Sequence, residues 1–372
     1  MKVLLSGAFH PRGTLAYYER AFRKLNVPVT YSGIPYGFER PGYAADTDLN
    51  ELPGQGVCDW FMYIEDMVQR PVFPLGLAET KYPTVGYFPD AALDLSRRKV
   101  MALFFDYVFV ASKWAVEPLR RVNPNTFYLP FAYDPECVPY RRQEYRYDVA
   151  FVGSVYGDRK DLLAQVASEF KMNDYAGRAT PEEIGEIYSA SKIVFNRPPP
   201  RGLDYNMRVF EAMGCGSLLL TERLPEDPLF TPGEHLITYD DSKDCIELIR
   251  YYLANEEERA RIARQGQEAV RSGHMYTHRL QTVIRILEQT GFQRCAPIRE
   301  ADVNQRFLSY QRVFSRMMML DSMADMFGEP DVSATARIRA LPLVGAAVGR
   351  RTRRMFWRKL AESMLGRSNN GS

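Results

Sequence analysis

The sequence predicts an α/β protein with two successive parallel sheets and a basic C-terminal extension. Three observations carry that prediction. Short β-branched or aromatic runs alternate with helical and turn segments through the first third of the chain, the order a parallel sheet with crossover helices requires. A second series fills the middle: the apolar run Lys192–Phe195, a loop from Arg197, a helix from Asn206 to the glycines at 214 and 216, and the apolar run Ser217–Thr221. From residue 336 the composition turns to arginines interleaved with apolar side chains. The expected divisions are a first unit over 1–135, a linker over 136–147, a second unit over 148–290, a helical extension over 291–335 and a basic tail over 336–372.

Length and composition fit this plan. A chain of 372 residues supports about two domains with separate cores. With 46% hydrophobic and 25% charged residues it has an ordinary globular composition, and a formal charge of +2 gives no overall bias toward nucleic acid. The opening Met1-Lys-Val-Leu-Leu-Ser-Gly is too short an apolar run for a signal peptide, and no stretch approaches the roughly 18–20 apolar residues of a membrane span. The expectation is a cytoplasmic protein. Its five cysteines (Cys58, Cys137, Cys215, Cys245, Cys295) are odd in number, far apart and without metal-ligand spacing. They are read as reduced thiols. The four histidines form no cluster with them, so neither a metal nor another cofactor is expected.

In chain order, Lys2–Ser6 reads as a buried strand and Gly7 to Gly13 as a tight turn. Thr14 caps a helix whose Leu15, Tyr18, Phe22 and Leu25 share one face. This is a Rossmann-like opening, but it lacks the Gly-x-Gly-x-x-Gly spacing of a dinucleotide site. Residues 32–56, rich in Gly, Pro and Tyr, read as loops. Trp60–Ile64, Thr84–Phe88, Tyr107–Ala111 and Thr126–Leu129 are the next strands. Pro89-Asp90 stands just past one of them, at the edge where ligand-contacting residues gather. Asp90 reads equally as a helix N-cap before Ala91. Asp106 reads as structural.

Leu129 to Tyr140, with three prolines, marks the link between units. Asp148–Val152 then opens the second unit as a strand. The turn Gly153-Ser154-Val-Tyr-Gly-Asp-Arg159-Lys160 follows, with glycine to admit an anion and two cations one helical turn on. Arg208 and Glu211, three apart on one helical face, supply a cation for phosphate and a carboxylate for paired hydroxyls, the combination a nucleotide-sugar carries. Asp241 and Asn255 read as caps of helices 243–254 and 256–271, Asn255 forming a capping box with Glu258. Leu280, Val283, Ile284 and Leu287 mark a third helix.

The run Tyr188-Ser-x-Ser-Lys-Ile-Val-x-Asn, then Asn206-x-Arg208-Val-Phe-Glu-Ala-x-x-Cys-Gly and Leu-Leu-Leu-Thr221-Glu, resembles the C-terminal half of group 1 glycosyltransferases, in particular the spore-maturation CgeB-like branch. The resemblance continues through Leu229-Phe-x-Pro-Gly-Glu-His and Tyr239-Asp-Asp, covering 148–285 well and 1–147 loosely. It implies a GT-B fold, with two Rossmann-like domains facing each other across a cleft. The second domain holds a nucleotide-sugar donor, a UDP-sugar first, and the first presents an acceptor that the sequence does not identify. No divalent metal is implied. By the same resemblance His10 and Arg12 stand near donor and acceptor, His10 reading otherwise as a turn residue before a proline. Asp90 binds or deprotonates the acceptor hydroxyl. Gly153, Ser154, Arg159, Lys160, Asn206 and Arg208 face the diphosphate, Tyr175 the base, and Glu211 the ribose hydroxyls. One departure stands out. Many group 1 enzymes carry a second glutamate eight residues before the position of Glu211, and here that position is Leu203, with Asp204 beside it.

Two readings compete with transfer: an inactive GT-B scaffold and, with less support, a nucleotide-sugar epimerase. In the tail, Arg337, Arg339, Arg350, Arg351, Arg353, Arg354, Arg358, Lys359 and Arg367 stand against the single acid Glu362. This mixture suits an anionic membrane surface. A solvated basic tail and a nucleic-acid contact are the other readings.

Overall fold

The computed structural model describes residues 1–9, 13–35, 42–43, 48–50, 52, 58–65, 72–91, 93–155, 157–177, 179–198, 204–222, 228–327, 329–347 and 349. In the first unit they form strands β1 (Val3–Phe9), β2 (Val29–Pro35), β3 (Gly42–Tyr43), β4 (Trp60–Ile64), β5 (Thr84–Phe88), β6 (Tyr107–Val110) and β7 (Thr126–Tyr128). Helices α1 (Thr14–Lys24), α2 (Leu95–Met101) and α3 (Val116–Arg120) connect them. The strands pair in parallel in the order β3-β2-β1-β4-β5-β6-β7. Every residue of β1, β4 and β5 is buried, as expected of a parallel sheet covered on both faces. Because β1 lies between β2 and β4, the chain leaves it first to one side and then to the other. Such a reversal opens a crevice outside the carboxyl ends of the two strands.

The second sheet runs β11 (Ile237–Tyr239), β10 (Leu218–Glu222), β9 (Ser191–Asn196), β8 (Tyr147–Ala150), again parallel. With it go α4 (Asp158–Glu169), α5 (Pro181–Ser189), α6 (Met207–Gly214), α7 (Ser242–Ala254) and α8 (Glu256–Gly273). Val149 of β8 also bridges Met172 on the side away from β9. β8 is therefore the reversal point of this sheet, as β1 is of the first. The turn at Gly153 lies outside its carboxyl end.

The chain then returns. α9 (Tyr276–Gln289) packs on α1, with the Tyr276 ring 4.9 Å from Tyr17 and 5.3 Å from Tyr18. The crossing back thus begins inside the 148–290 segment. α10 (Val303–Met317), α11 (Leu320–Met326) and a last helix, α12 over 334–347, cover the first sheet on its other face. There Tyr310 stacks 4.4 Å from Phe104 and accepts from Leu77 N–H at 3.1 Å. One apolar cluster joins both units, from Leu15 and Tyr17 to Ala150, Val194 and Phe210.

Four local readings are corrected. Gly13, not Thr14, holds the N-cap of α1, and Thr14 is its first helical residue. Asn255 is the N-cap residue of α8 as read, but it forms no capping box with Glu258; its side-chain amide donates to the Tyr251 carbonyl at 2.8 Å, back onto the preceding helix. The helix after Asp90 is capped by Asp94, whose Oδ1 accepts from Arg97 N–H at 3.0 Å. The N-cap reading of Asp90 therefore falls. Part of 32–56 is strand rather than loop: Gly33, at φ +157°, lets β2 approach β1 so closely that a Cβ would stand 2.1 Å from the Gly7 carbonyl oxygen. A glycine that suggests a loop in sequence is here a close approach of two backbones.

Candidate active site

At the carboxyl edge of the second sheet the side chains are tied into one network centred on Asn196, the last residue of β9. Its Oδ1 accepts from Arg208 Nη1 at 2.6 Å and Asn206 Nδ2 at 3.0 Å, and its Nδ2 donates to Thr221 Oγ1 at 2.9 Å. Its carbonyl accepts from the Tyr239 hydroxyl at 2.9 Å. One asparagine thus locks the start of α6 to the ends of β9, β10 and β11. Asn196 is a functional residue that stands outside the sequence-predicted site residues. Its signal was a polar residue closing an apolar strand run, directly before the loop.

Arg208 reaches from α6 to the turn after β8, where Nε and Nη2 donate to the Val152 carbonyl at 3.0 and 2.5 Å. Its guanidinium lies over the Phe151 ring, 4.3 Å from the centroid. Gly153 has φ +151°, and a Cβ there would stand 2.1 Å from Arg208 Nη2. The positive φ calls for glycine, and any side chain there would have to push the Arg208 guanidinium aside. Gly153→Ala is expected to displace Arg208 and cost about 1–3 kcal/mol. Urea denaturation checks this: a loss below about 0.5 kcal/mol means the turn gives way freely.

Arg159, in the first turn of α4, is buried. Its Nη1 donates to the Ser154 carbonyl at 2.7 Å and its Nη2 to the Arg197 carbonyl. Ser154 and Lys160 are exposed. Asn206 occupies the N-cap of α6 without bonding its amides, and its Oδ1 is buried with no partner among the described residues. Gly153, Ser154, Arg159, Asn206 and Arg208 are therefore brought together. Both guanidiniums are directed at main-chain carbonyls and fix the turn.

Glu211, one turn further along α6, is only 8% exposed. Among the described residues its carboxyl has no hydrogen-bond partner, and burial pushes its pKa up to about 7 against the pull of Arg208. Tyr17, Tyr188 and Tyr276 lie near it. Tyr175 packs with the apolar core of the second sheet.

On the facing sheet, Asp90 follows β5 in a turn whose carbonyl accepts from Leu93 N–H at 3.0 Å, and it is half-buried near Tyr87. His10 and Arg12 lie outside the described residues, as does Leu203. Glu65, directly after β4, is held by Arg98 Nε at 2.8 Å and Arg97 Nη2 at 3.0 Å, all three buried. Sequence reasoning passed over this buried ion cluster, although Glu65 stands at the same strand edge as Asp90. Asp204 reaches across to the first unit, accepting from Lys113 N–H at 2.9 Å. Burial raises its pKa.

Residues 137–285 match a family model described as glycosyl transferase-like. No curated protein matches the chain in sequence. Among solved structures the chain is similar to Anabaena Alr3699/HepE in complex with UDP and glucose, at TM-score 0.54 and 12% identity over 78% of this chain and 100% of that one. It is similar to sucrose-phosphate synthase from Thermosynechococcus elongatus, at TM-score 0.53 and 12% identity over 78% and 99%. It is also similar to T4 phage BGT in complex with UDP-glucose, at TM-score 0.51 and 9% identity over 77% and 99%. At such identities the likeness is one of fold. The chain thus has the GT-B architecture, two Rossmann-like domains opposed across a cleft, with a glycosyl transferase-like domain over residues 137–285.

Proposed function

We propose that the chain is a glycosyltransferase of the group 1 kind, CgeB-like in its branch, which moves a sugar from a nucleotide-activated donor to an acceptor on the first domain. One observation carries this reading. At the reversal point of the second sheet, the open turn of Gly153 and Ser154 meets the N-termini of α4 and α6, inside the domain that matches the glycosyl transferase-like model. Unpaired N–H groups and the partial positive charge of helix N-termini suit a diphosphate. A uridine nucleotide is the first choice because two of the similar structures hold UDP or UDP-glucose.

In this scheme Lys160 and the amides of the two helix starts meet the diphosphate. Arg159 and Arg208 stand behind the turn as fixed positive charge. Glu211 accepts from the ribose hydroxyls, Tyr175 flanks the base, and Asp90 takes the acceptor proton, with His10 beside the donor. The developing charge on the leaving diphosphate is met by these cations and dipoles, so the scheme uses no bound metal. A catalytically idle scaffold is the second reading, favoured by the engagement of Arg159 and Arg208 with main-chain carbonyls.

Thermal unfolding in the presence of UDP, GDP, ADP, CMP or dTDP tests the donor site, and acceptor-dependent release of the nucleotide separates transfer from an idle scaffold that keeps the pocket. A ligand at about 100 times its dissociation constant adds about 2.7 kcal/mol. One nucleotide is expected to stabilise the wild type, and the exposed substitution Lys160→Glu to weaken that nucleotide about tenfold or more without changing the free protein's melting temperature. Failure of every nucleotide to stabilise the protein favours the scaffold.

A further inference from the structure

Helix α12 is built with two unlike faces. Ser333 opens it, its Oγ accepting from Ala336 N–H at 3.2 Å. Ala336, Ala340 and Ala347 are buried, Leu343 and Val344 pack on the core of the first sheet, and the Leu343 carbonyl accepts from Ser315 Oγ at 2.8 Å. With about 100° between successive residues, Ile338, Leu341, Pro342 and Gly345 fall opposite that stripe. Ile338 is 65% exposed and Leu341 57%. Arg337 and Arg339 lie on the two margins of this apolar face, Arg337 with one guanidinium nitrogen on the Glu329 carbonyl at 2.7 Å and Arg339 exposed. The sequence holds no acid between Asp331 and Glu362, while the chain beyond α12 adds Arg350, Arg351, Arg353, Arg354, Arg358 and Lys359 with Met355, Phe356, Trp357 and Leu360 among them.

We propose that α12 and the chain following it dock the protein on an anionic lipid bilayer, with Ile338 and Leu341 entering the headgroup layer and the arginines meeting lipid phosphates. An exposed apolar face between basic margins is the pattern of a helix lying in the membrane interface. A nucleic acid would satisfy the cations but leave Ile338 and Leu341 in water. Folding the 350–359 segment back over the same face would set its cations against Arg337 and Arg339. The bilayer is the occupant that uses both the apolar and the basic side chains.

α12 packs on the first sheet, so the lipid surface lies against the domain proposed to present the acceptor. That role for the domain rests on the glycosyltransferase reading; the docking does not.

The test is co-sedimentation of the full chain with vesicles of phosphatidylcholine, with or without phosphatidylserine, at low and high salt. Binding is expected only with phosphatidylserine, weakened by salt. It should fall about fivefold for each cation removed from Arg351, Arg353 and Arg354, and at least about tenfold in Ile338→Glu/Leu341→Glu. Both apolar positions are exposed, so an unchanged melting temperature confirms that the double variant is folded. Equal binding to the two vesicle types, or full binding by the double variant, overturns the proposal. So does a preference for single-stranded RNA over phosphatidylserine vesicles that the double variant retains. Nucleotide stabilisation measured on the same double variant should be unchanged, which keeps the fate of the donor reading separate from that of the docking.

Discussion

Asp106→Asn is expected to destabilise the protein by about 3–5 kcal/mol, because it breaks a charge pair whose carboxylate is fully buried and leaves the largely buried Arg299 short of its counterion. The carboxylate is 0% exposed. Its Oδ1 accepts from Cys295 N–H at 2.6 Å, Ala296 N–H at 2.7 Å and Arg299 Nε at 2.9 Å. Its Oδ2 accepts from Thr84 N–H at 2.7 Å, Thr84 Oγ1 at 2.8 Å and Arg299 Nη2 at 2.9 Å. An asparagine keeps the shape but turns one of these acceptors into a donor facing donors. Arg299 also donates to the carbonyls of Ala78, Thr80 and Tyr82, so the side chain fastens the returning segment to the first sheet at several points. The loss should show as a lower urea midpoint and as early amide exchange at Cys295, Ala296 and along α10, ahead of the second sheet. A change below about 1 kcal/mol, or exchange that rises uniformly, would mean that the carbonyl contacts alone hold the segment.

The same residue shows what sequence can and cannot reveal. That Asp106 is structural follows from its place before the strand Tyr107–Val110, but its partners are Thr84, 22 residues away, and the returning segment, 189 to 193 residues away. Nothing local announces them. Strands buried on both faces were readable because burial leaves an unbroken apolar run: Trp60–Ile64 and Thr84–Phe88 have the bounds their sequence suggests. β3 and β11 are two and three residues long, too short to show a period, and β2 is punctuated by the glycine its close approach requires. Cap assignments failed where two residues competed. Asp90 and Asp94 both suit an N-cap, and the choice depends on where the turn after β5 ends.

The candidate site divides in a similar way. Its location follows from a rule of topology, since a glycine turn after a strand and a polar helix start belong at the carboxyl edge of a parallel sheet. The allocation of hydrogen bonds does not. Arg208 bonds to a carbonyl 56 residues away and Arg159 to one 38 away, so two arginines that the sequence offers to a phosphate are directed at main-chain carbonyls of the turn after β8 and of the segment after β9. A guanidinium in that position still acts on a bound anion through its charge, but it no longer sets the anion's orientation. That task passes to groups with open donors, the helix-start amides and Lys160. This is why the exposed lysine is the informative substitution, whereas removing either arginine would confound binding with folding.

Glu211 gives the second large effect, and it depends on pH. Its folded pKa of about 7 stands above the ordinary 4.5 because burial disfavours the charged carboxylate. The native state therefore holds a proton more tightly than the unfolded chain does. The resulting stabilisation is complete below the unfolded value and is lost as pH rises through about 7, a change of about 3 kcal/mol. Glu211→Gln, neutral throughout, should match the wild type within about 1 kcal/mol at pH 5 and exceed it by about 3 kcal/mol at pH 8. Chemical denaturation at the two pH values is the measurement, and equal differences at both would show that Glu211 does not titrate in this range. Nucleotide binding should oppose this trend. Ribose hydroxyls donate to the ionised carboxylate, so a bound nucleotide should lower the pKa of Glu211 and release a proton. Wild-type affinity is then expected to fall below pH 7, while the glutamine variant, lacking the charge, binds more weakly at pH 8 and without that pH dependence. Calorimetric titrations in buffers of different ionisation enthalpy read the proton directly. A wild type that releases none while binding the nucleotide removes Glu211 from the ribose and leaves it as a buried acid whose only consequence is for stability.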